Sequence, residues 1–203
     1  NFYPRRETGL DETFFRAQCD LFRRYGILVA AFVPGRGEKR GPLFEGLPTL
    51  EKHRDLDPFV AAVELFLDGV ADVYVGDPDP GEGLLEQLVA YDVHRVMPLR
   101  IRTTCLPSSE YRPRPDFARD VLRLMDTRST VPVPPVNTVA RPAGTVAVDN
   151  DLYGRYRGEV HIALRDLPAD PRVNVIGRVI PEDLPLLSLI QPGQRVYLRC
   201  DLE

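Results

Sequence analysis

Seven consecutive apolar residues, Ile27 to Val33, lie between Gly26 and Pro34. A run with no polar alternation fits a strand buried on both faces, the situation of parallel sheets, whose crossover helices cover both sides. Helices must therefore flank it, and the neighbouring sequence supplies them. From Asp11 to Tyr25, Phe14, Phe15, Ala17, Leu21 and Phe22 recur near helical spacing, with Asp11 placed to cap the start and Gly26 to end it. Asp57-Pro58 offers a second cap and first-turn proline for a helix through Val60, Val63, Leu65 and Leu67, ended near Gly69. A strand over 70–75, a helix over 82–91 and a strand over 96–101 complete a strand–helix alternation, the pattern of an α/β protein. Asn1-Phe2-Tyr3-Pro4 reads as the end of a further strand running into a loop. With no initial Met, the chain is expected to start inside a larger protein.

The pattern changes after Arg102. A proline-rich connector, including Val131-Pro132-Val133-Pro134-Pro135, holds one periodic stretch, Phe117 to Met125, compatible with helix or strand. Short apolar runs over 144–148, 158–164, 173–179 and 194–200 then alternate with turn clusters, and 182–190 fits a short helix. The expected organisation is an α/β unit over 1–102 followed by a small, mainly β unit over 103–203.

At 203 residues the chain has room for one large or two small units, and its composition is that of a globular protein. No apolar run approaches the ~20 residues of a membrane helix, and no signal-peptide pattern opens the sequence, so a cytoplasmic protein is expected. A net charge of −4 argues against general attraction to nucleic acid or an anionic membrane. Lys39 and Lys52 are the only lysines; the Arg bias matters for function only where guanidiniums converge on a bidentate target. Cys19, Cys105 and Cys200 are too far apart along the chain to form a metal-binding pair.

In parallel α/β folds functional groups sit on loops leaving the C-terminal ends of strands. The 34–57 segment is long for a structureless loop, which marks it as a binding or gating element. Arg40 and Arg54 suit phosphate or carboxylate oxygens, and Glu45 or Asp77 suit acid or base chemistry. Each has a plainer reading: Asp77 before Pro78 fits a turn cap, Glu45 a solvated loop carboxylate, His53 a loop brace, and Arg114 in Arg112-Pro113-Arg114-Pro115-Asp116 part of a linker. No phosphate-binding glycine loop, dinucleotide fingerprint, His-Glu-x-x-His, nucleophile elbow or Cys-x-x-Cys occurs. The enzyme class needing least further equipment, with no cofactor or metal, is glycoside hydrolysis by two carboxylates.

Longer stretches carry a resemblance. Asn1-Phe2-Tyr3-Pro4-Arg5 with Thr8-Gly9-Leu10, the run Arg40-Gly41-Pro42-Leu43-Phe44-Glu45-Gly46-Leu47-Pro48 through Arg54, and Val73-Tyr74-Val75-Gly76-Asp77-Pro78 resemble a bacterial family once filed as "outer surface" proteins. Its characterised members are 6-phospho-N-acetylmuramidases of the MupG type. Arg141-Pro142-Ala143-Gly144-Thr145-Val146, Asp149-Asn150, Leu167-Pro168-Ala169-Asp170 and Asn174-Val175-Ile176-Gly177 resemble the C-terminal part of the same family. The resemblance implies the last strands of a TIM-type (β/α) barrel followed by a cyclophilin-like β domain. It also implies hydrolysis of a phosphorylated amino-sugar disaccharide, releasing 6-phospho-N-acetylmuramic acid from N-acetylglucosamine in cell-wall recycling. It places Asn1, Tyr3, Arg5, Glu45, His53, Arg54 and Asp77 at the catalytic face, with Glu45 and Asp77 as the catalytic candidates and the others as candidate substrate contacts; Arg40 and Arg54 as ligands of the sugar phosphate, and Arg114 as an anion contact, rest on guanidinium chemistry alone. The family pattern has a polar segment before Arg-Pro-Asp where this chain has Tyr111-Arg112-Pro113. On this reading the chain alone is expected to be inactive, its barrel edge needing the missing barrel half or an oligomeric partner to cover it. The alternatives are a non-catalytic carbohydrate-binding or interaction protein and a hydrolase of another 6-phosphoglycoside.

Overall fold

The structure is a computed structural model that describes residues 3–201, and it divides into two compact units, residues 1–92 and 93–203. The first contains α1 (Glu12–Arg24), β1 (Ala30–Val33), α2 (Pro58–Leu67), β2 (Asp72–Val75) and α3, which runs Leu84–His94 across the division. Local chemistry sets the helix ends as expected. Asp11 accepts a hydrogen bond from the Phe14 amide at 3.0 Å, Asp57 accepts one from the Phe59 amide at 2.9 Å, and Gly26 and Gly69 close α1 and α2 at positive φ. Strands β1 and β2 pair in parallel, with Ala30 opposite Asp72 and Val33 opposite Val75.

Burial in this unit is uneven. Helix α2 is enclosed on nearly every side, from Phe59 through Val63 to Leu65, and Phe59 meets Tyr91 of α3 edge to face at 5.8 Å. Around α1 only Phe15 and Cys19, one turn apart, are covered; Phe14, Leu21 and Phe22 are exposed. The apolar run is not buried on both faces either, since Ile27 and Leu28 are exposed and β1 keeps only Ala30–Val33. Among the described residues β1 has one neighbouring strand, β2, which cannot cover the whole run.

The second unit is a mixed seven-stranded sheet in the order β4-β9-β3-β8-β6-β7-β5. Its strands are β3 (Met97–Arg102), β4 (Ser109–Tyr111), β5 (Val121–Arg123), β6 (Thr145–Asp149), β7 (Val160–Ala163), β8 (Val173–Val179) and β9 (Val196–Asp201). Only β3 and β9 run parallel; the other pairs are antiparallel. Past its two edge strands the chain meets in a single bridge, Pro113 opposite Leu124, and the sheet is not closed. Leu99, Ile101, Leu122, Ile162 and Leu198 lie in its core.

Two elements differ from the sequence reading. The strand expected to end the parallel alternation, β3, instead joins the second sheet, where Met97 faces Val196 and Ile101 faces Val179. Its alternating burial satisfies either sheet, so the partner is decided by β9, about a hundred residues away. The undecided 117–125 stretch contains the short strand β5. The proline-rich connector stays irregular but anchored: Asn174 accepts from the Val136 amide at 3.0 Å and donates to the Pro134 carbonyl at 2.8 Å. No helix among the described residues is long and apolar enough to cross a membrane.

Candidate active site

Because β1 and β2 are parallel, the segments that follow them, 34–57 and 76–83, leave from the same end of the pair. They approach closely through small residues. A Cβ on Gly76 would lie 2.3 Å from the Leu47 carbonyl oxygen, and one on Gly35 would lie 2.2 Å from that of Asp79, so a side chain at either position would push the loops apart.

Asp77 binds the two segments together. Its side chain has no exposed surface; Oδ2 accepts from the Gly35 amide and Oδ1 from the Arg40 amide, both at 2.9 Å. Lys39 Nζ lies 3.9 Å from Oδ2 and donates to the Gly35 carbonyl. Of the two carboxylates expected to do chemistry, Asp77 is therefore enclosed by loop amides. Glu45 is half-buried, with Oε2 accepting from the Arg6 amide at 2.9 Å.

The two expected anion-binding arginines differ in the same way. Arg54 has a side chain only 2% exposed, and all five of its N–H donors have protein partners. Nε and Nη2 reach Glu51 at 2.6 and 2.7 Å, Nη1 the carbonyls of Glu45 and Gly46, and Nη2 that of Arg5. As the loop stands, Arg54 has no donor left for a ligand. Arg40 is tied only through Nε, to the Gly76 carbonyl at 2.9 Å; its two Nη groups have no partner among the described residues. It is the expected anion-binding residue that the geometry leaves available.

The remaining candidates are placed as follows. His53 is fully buried, with Nε2 3.0 Å from Glu64 and Nδ1 without a hydrogen-bond partner among the described residues. Burial lowers its pKa, opposed by Glu64, so it faces protein rather than an open site. Tyr3 and Arg5 are exposed near the start of the described chain, and the Arg5 guanidinium lies 3.8 Å from Glu7. Arg114 belongs to the second unit, where it forks onto Asp116 at 3.0 and 3.3 Å. Asn1 lies outside the described residues.

Two residues not singled out from sequence help to form the loop. Glu51 is held well below the usual carboxylate range, at about 2, chiefly by Arg54 and further by the Glu7 and Gly9 amides, while partial burial opposes the shift. The only sequence signal for that clip is the Glu51/Arg54 spacing. Phe44, next to Glu45, stands 59% exposed at a φ of 55°, a backbone state that bulky residues adopt at a cost. An exposed aromatic ring, a half-buried carboxylate and a guanidinium with both Nη groups available thus come from one loop, the equipment for a polar ring with an anionic substituent.

The family described as "6-phospho-N-acetylmuramidase, N-terminal" matches residues 1–90, and the one described as "6-phospho-N-acetylmuramidase, C-terminal" matches residues 99–199. Among solved structures, a conserved Enterococcus faecalis protein of unknown function is 42% identical with a TM-score of 0.84, covering 98% of this chain and 57% of its own. An uncharacterized B. cereus protein is 27% identical with a TM-score of 0.79, covering 97% of this chain and 60% of its own. The chain thus spans less than two thirds of either relative. No curated protein matches.

Proposed function

We propose, from the premise that this chain belongs to the 6-phospho-N-acetylmuramidase family, that its gene product hydrolyses the bond between 6-phospho-N-acetylmuramic acid and N-acetylglucosamine. The observation that carries this reading is the match of both halves of that family along one chain, over 1–90 and 99–199. In the same reading the first unit is the closing part of a TIM-type barrel, the second is a cyclophilin-like domain, and the reaction belongs to cytoplasmic recycling of cell-wall sugars.

The available Nη groups of Arg40 receive the 6-phosphate, which suits a guanidinium fork. Phe44 offers a face to the sugar ring, and Glu45 is the carboxylate able to reach the glycosidic oxygen and protonate the leaving group. Asp77 acts through Arg40, whose amide it holds, and is a positioning residue. Arg54 and Glu51 set the backbone around Glu45 and Gly46.

One observation favours the alternative, a protein that binds such sugars without cleaving them: of the two expected carboxylates only Glu45 is open to a ligand. Incubating the gene product with the phosphorylated disaccharide, and following release of 6-phospho-N-acetylmuramic acid, separates the two. Hydrolysis requires turnover that Glu45→Gln lowers at least 100-fold, consistent with loss of a general acid. Tight binding without turnover by the folded wild-type protein establishes the alternative.

A further inference from the structure

The second unit carries a polar cavity that this reading leaves unused. Strand register sets Arg123 of β5 and Ala147 of β6 opposite His161 of β7, and Asp149 of β6 opposite Val173 of β8. Since side chains alternate along a strand, Arg123, His161, Asp149 and Val173 share one face of the sheet. The turn over 151–156 brings Tyr153 and Tyr156 to that face, and a cavity of about 420 Å³ lies between them, with Arg141 and Glu159 in its lining. The volume is that of a small-molecule site.

The hydrogen-bonding groups around it are incompletely matched. Glu159 is satisfied, by Arg123 Nε at 2.6 Å and by Arg128 at 3.0 Å. Arg123 Nη1 has no partner among the described residues. The same holds for Arg141 Nη1, whose sister donors Nε and Nη2 both go to the Pro168 carbonyl. The Asp149 carboxylate, 15% exposed, accepts no hydrogen bond from a described residue. His161, with 9% of its side chain exposed, makes none through its ring; its Nδ1 stands 3.7 Å from Asp149. None of these atoms is sealed from solvent, the one buried side-chain polar atom without a partner among the described residues being His53 Nδ1, so their unmatched donors and acceptors are open to a ligand entering the cavity.

Charge narrows the class of ligand. Arg123 and Arg128 share one carboxylate, Glu159, and Asp170 is matched by Arg172 at 2.9 Å, so Arg141 faces the cavity with Asp149 as the remaining acid. A monoanion with two acceptor oxygens fits two unpartnered Nη1 groups, one from each arginine, whereas a dianion would meet both Asp149 and Glu159.

We propose that this cavity binds a small organic acid through its carboxylate, Arg123 and Arg141 each donating to it and the Asp149 carboxyl group sharing a hydrogen bond with it. Burial and then Glu159 push Asp149 up to about 6, against the pull of Arg123 and Arg141. Burial, with Arg141, holds His161 down at about 4, so the imidazole stays neutral while Asp149 titrates. The other groups near Asp149 are the Tyr153 phenol, with a raised pKa, and Asp170, held at about 2 by Arg172, so neither titrates near 6. The site stands independently of the glycosidase reading.

The test is a titration of the full 203-residue chain with lactate and benzoate at pH 5.5 and 7.5, read by calorimetry and by the ring resonances of His161. Inorganic phosphate and N-acetylglucosamine serve as comparison probes. Both acids should bind saturably, more than tenfold tighter at pH 5.5, because only the protonated fraction of Asp149 is competent. Asp149→Asn should abolish that pH dependence and bind at pH 7.5 as tightly as the wild type does at pH 5.5. Arg141→Gln, with folding verified by its melting transition, should weaken binding at least tenfold at pH 5.5. The proposal is overturned if the folded wild-type chain binds neither acid at pH 5.5 or binds them more tightly at pH 7.5. Tighter binding of phosphate or N-acetylglucosamine, or an unchanged pH profile in Asp149→Asn, overturns it equally.

Discussion

Arg54 in the first unit and Arg141 in the second are both buried guanidiniums, but they are in different states. Arg54 directs five donors at a carboxylate and three carbonyls, and nothing about it remains to be matched. Arg141 puts two donors on one carbonyl and leaves Nη1 without a partner among the described residues, beside an acid and an imidazole in the same condition. A buried charge that is completely matched shapes the fold around it, and one that is incompletely matched is placed to receive something. The contrast recurs inside the loop of the first unit, where Asp77 and Arg54 are structural while Glu45 and Arg40 are accessible.

Removing the matched charge should have the largest effect. Arg54→Met leaves Glu51 without its main partner and should cost about 3–5 kcal/mol in urea unfolding, whereas Arg141→Met should cost about 1.5–3 kcal/mol. Equal costs would break the distinction. A smaller effect separates the units by pH. The pKa of Glu51 is depressed to about 2, so its stabilisation is complete above the ordinary carboxylate range and is lost as pH falls from about 4.5 toward 2. In the second unit two groups oppose each other. His161, depressed from 6.5 to about 4, contributes stability that is lost as pH falls through that range. Asp149, raised from 3.8 to about 6, contributes stability that returns over nearly the same range. The stability of the wild-type chain should therefore change little between pH 6.5 and 4, and Asp149→Asn, which removes one side of the balance, should make it fall there. Thermal melts across that range test it; identical profiles would show that the two groups are not opposed.

Two further substitutions calibrate the scale. Asp11→Ala, which removes the cap of α1, should cost about 1 kcal/mol. Arg114→Gln, in a solvent-exposed pair with Asp116, should leave the melting temperature unchanged.

Much of the fold was legible because its signals are local. Asp11, Asp57-Pro58, Gly26 and Gly69 act within one turn of the residues they constrain, and both helices begin and end beside them. The sheet that β3 joins is not legible, because its alternating Met97, Leu99 and Ile101 name no partner, and β4 carries no strand signal, because Ser109-Glu110-Tyr111 lacks an apolar run. The loops of the candidate site stood out by their length, while the roles within them depended on distant pairings. Asp77 holds amides 37 and 42 residues away, and Glu51 binds Glu7 and Gly9. Nothing in the sequence near Arg40 and Arg54 says which of the two guanidiniums the fold will leave available.

That choice is tested most directly by the selectivity of the gene product for the phosphorylated disaccharide over its unphosphorylated counterpart, measured as the ratio of kcat/KM in the wild type and in Arg40→Gln. If the available guanidinium receives the phosphate, the substitution should collapse the ratio by at least tenfold, mainly through KM for the phosphorylated sugar. A ratio unchanged in folded Arg40→Gln protein would contradict the assignment of Arg40 to the phosphate, and with it the reading of this loop as a phosphosugar site.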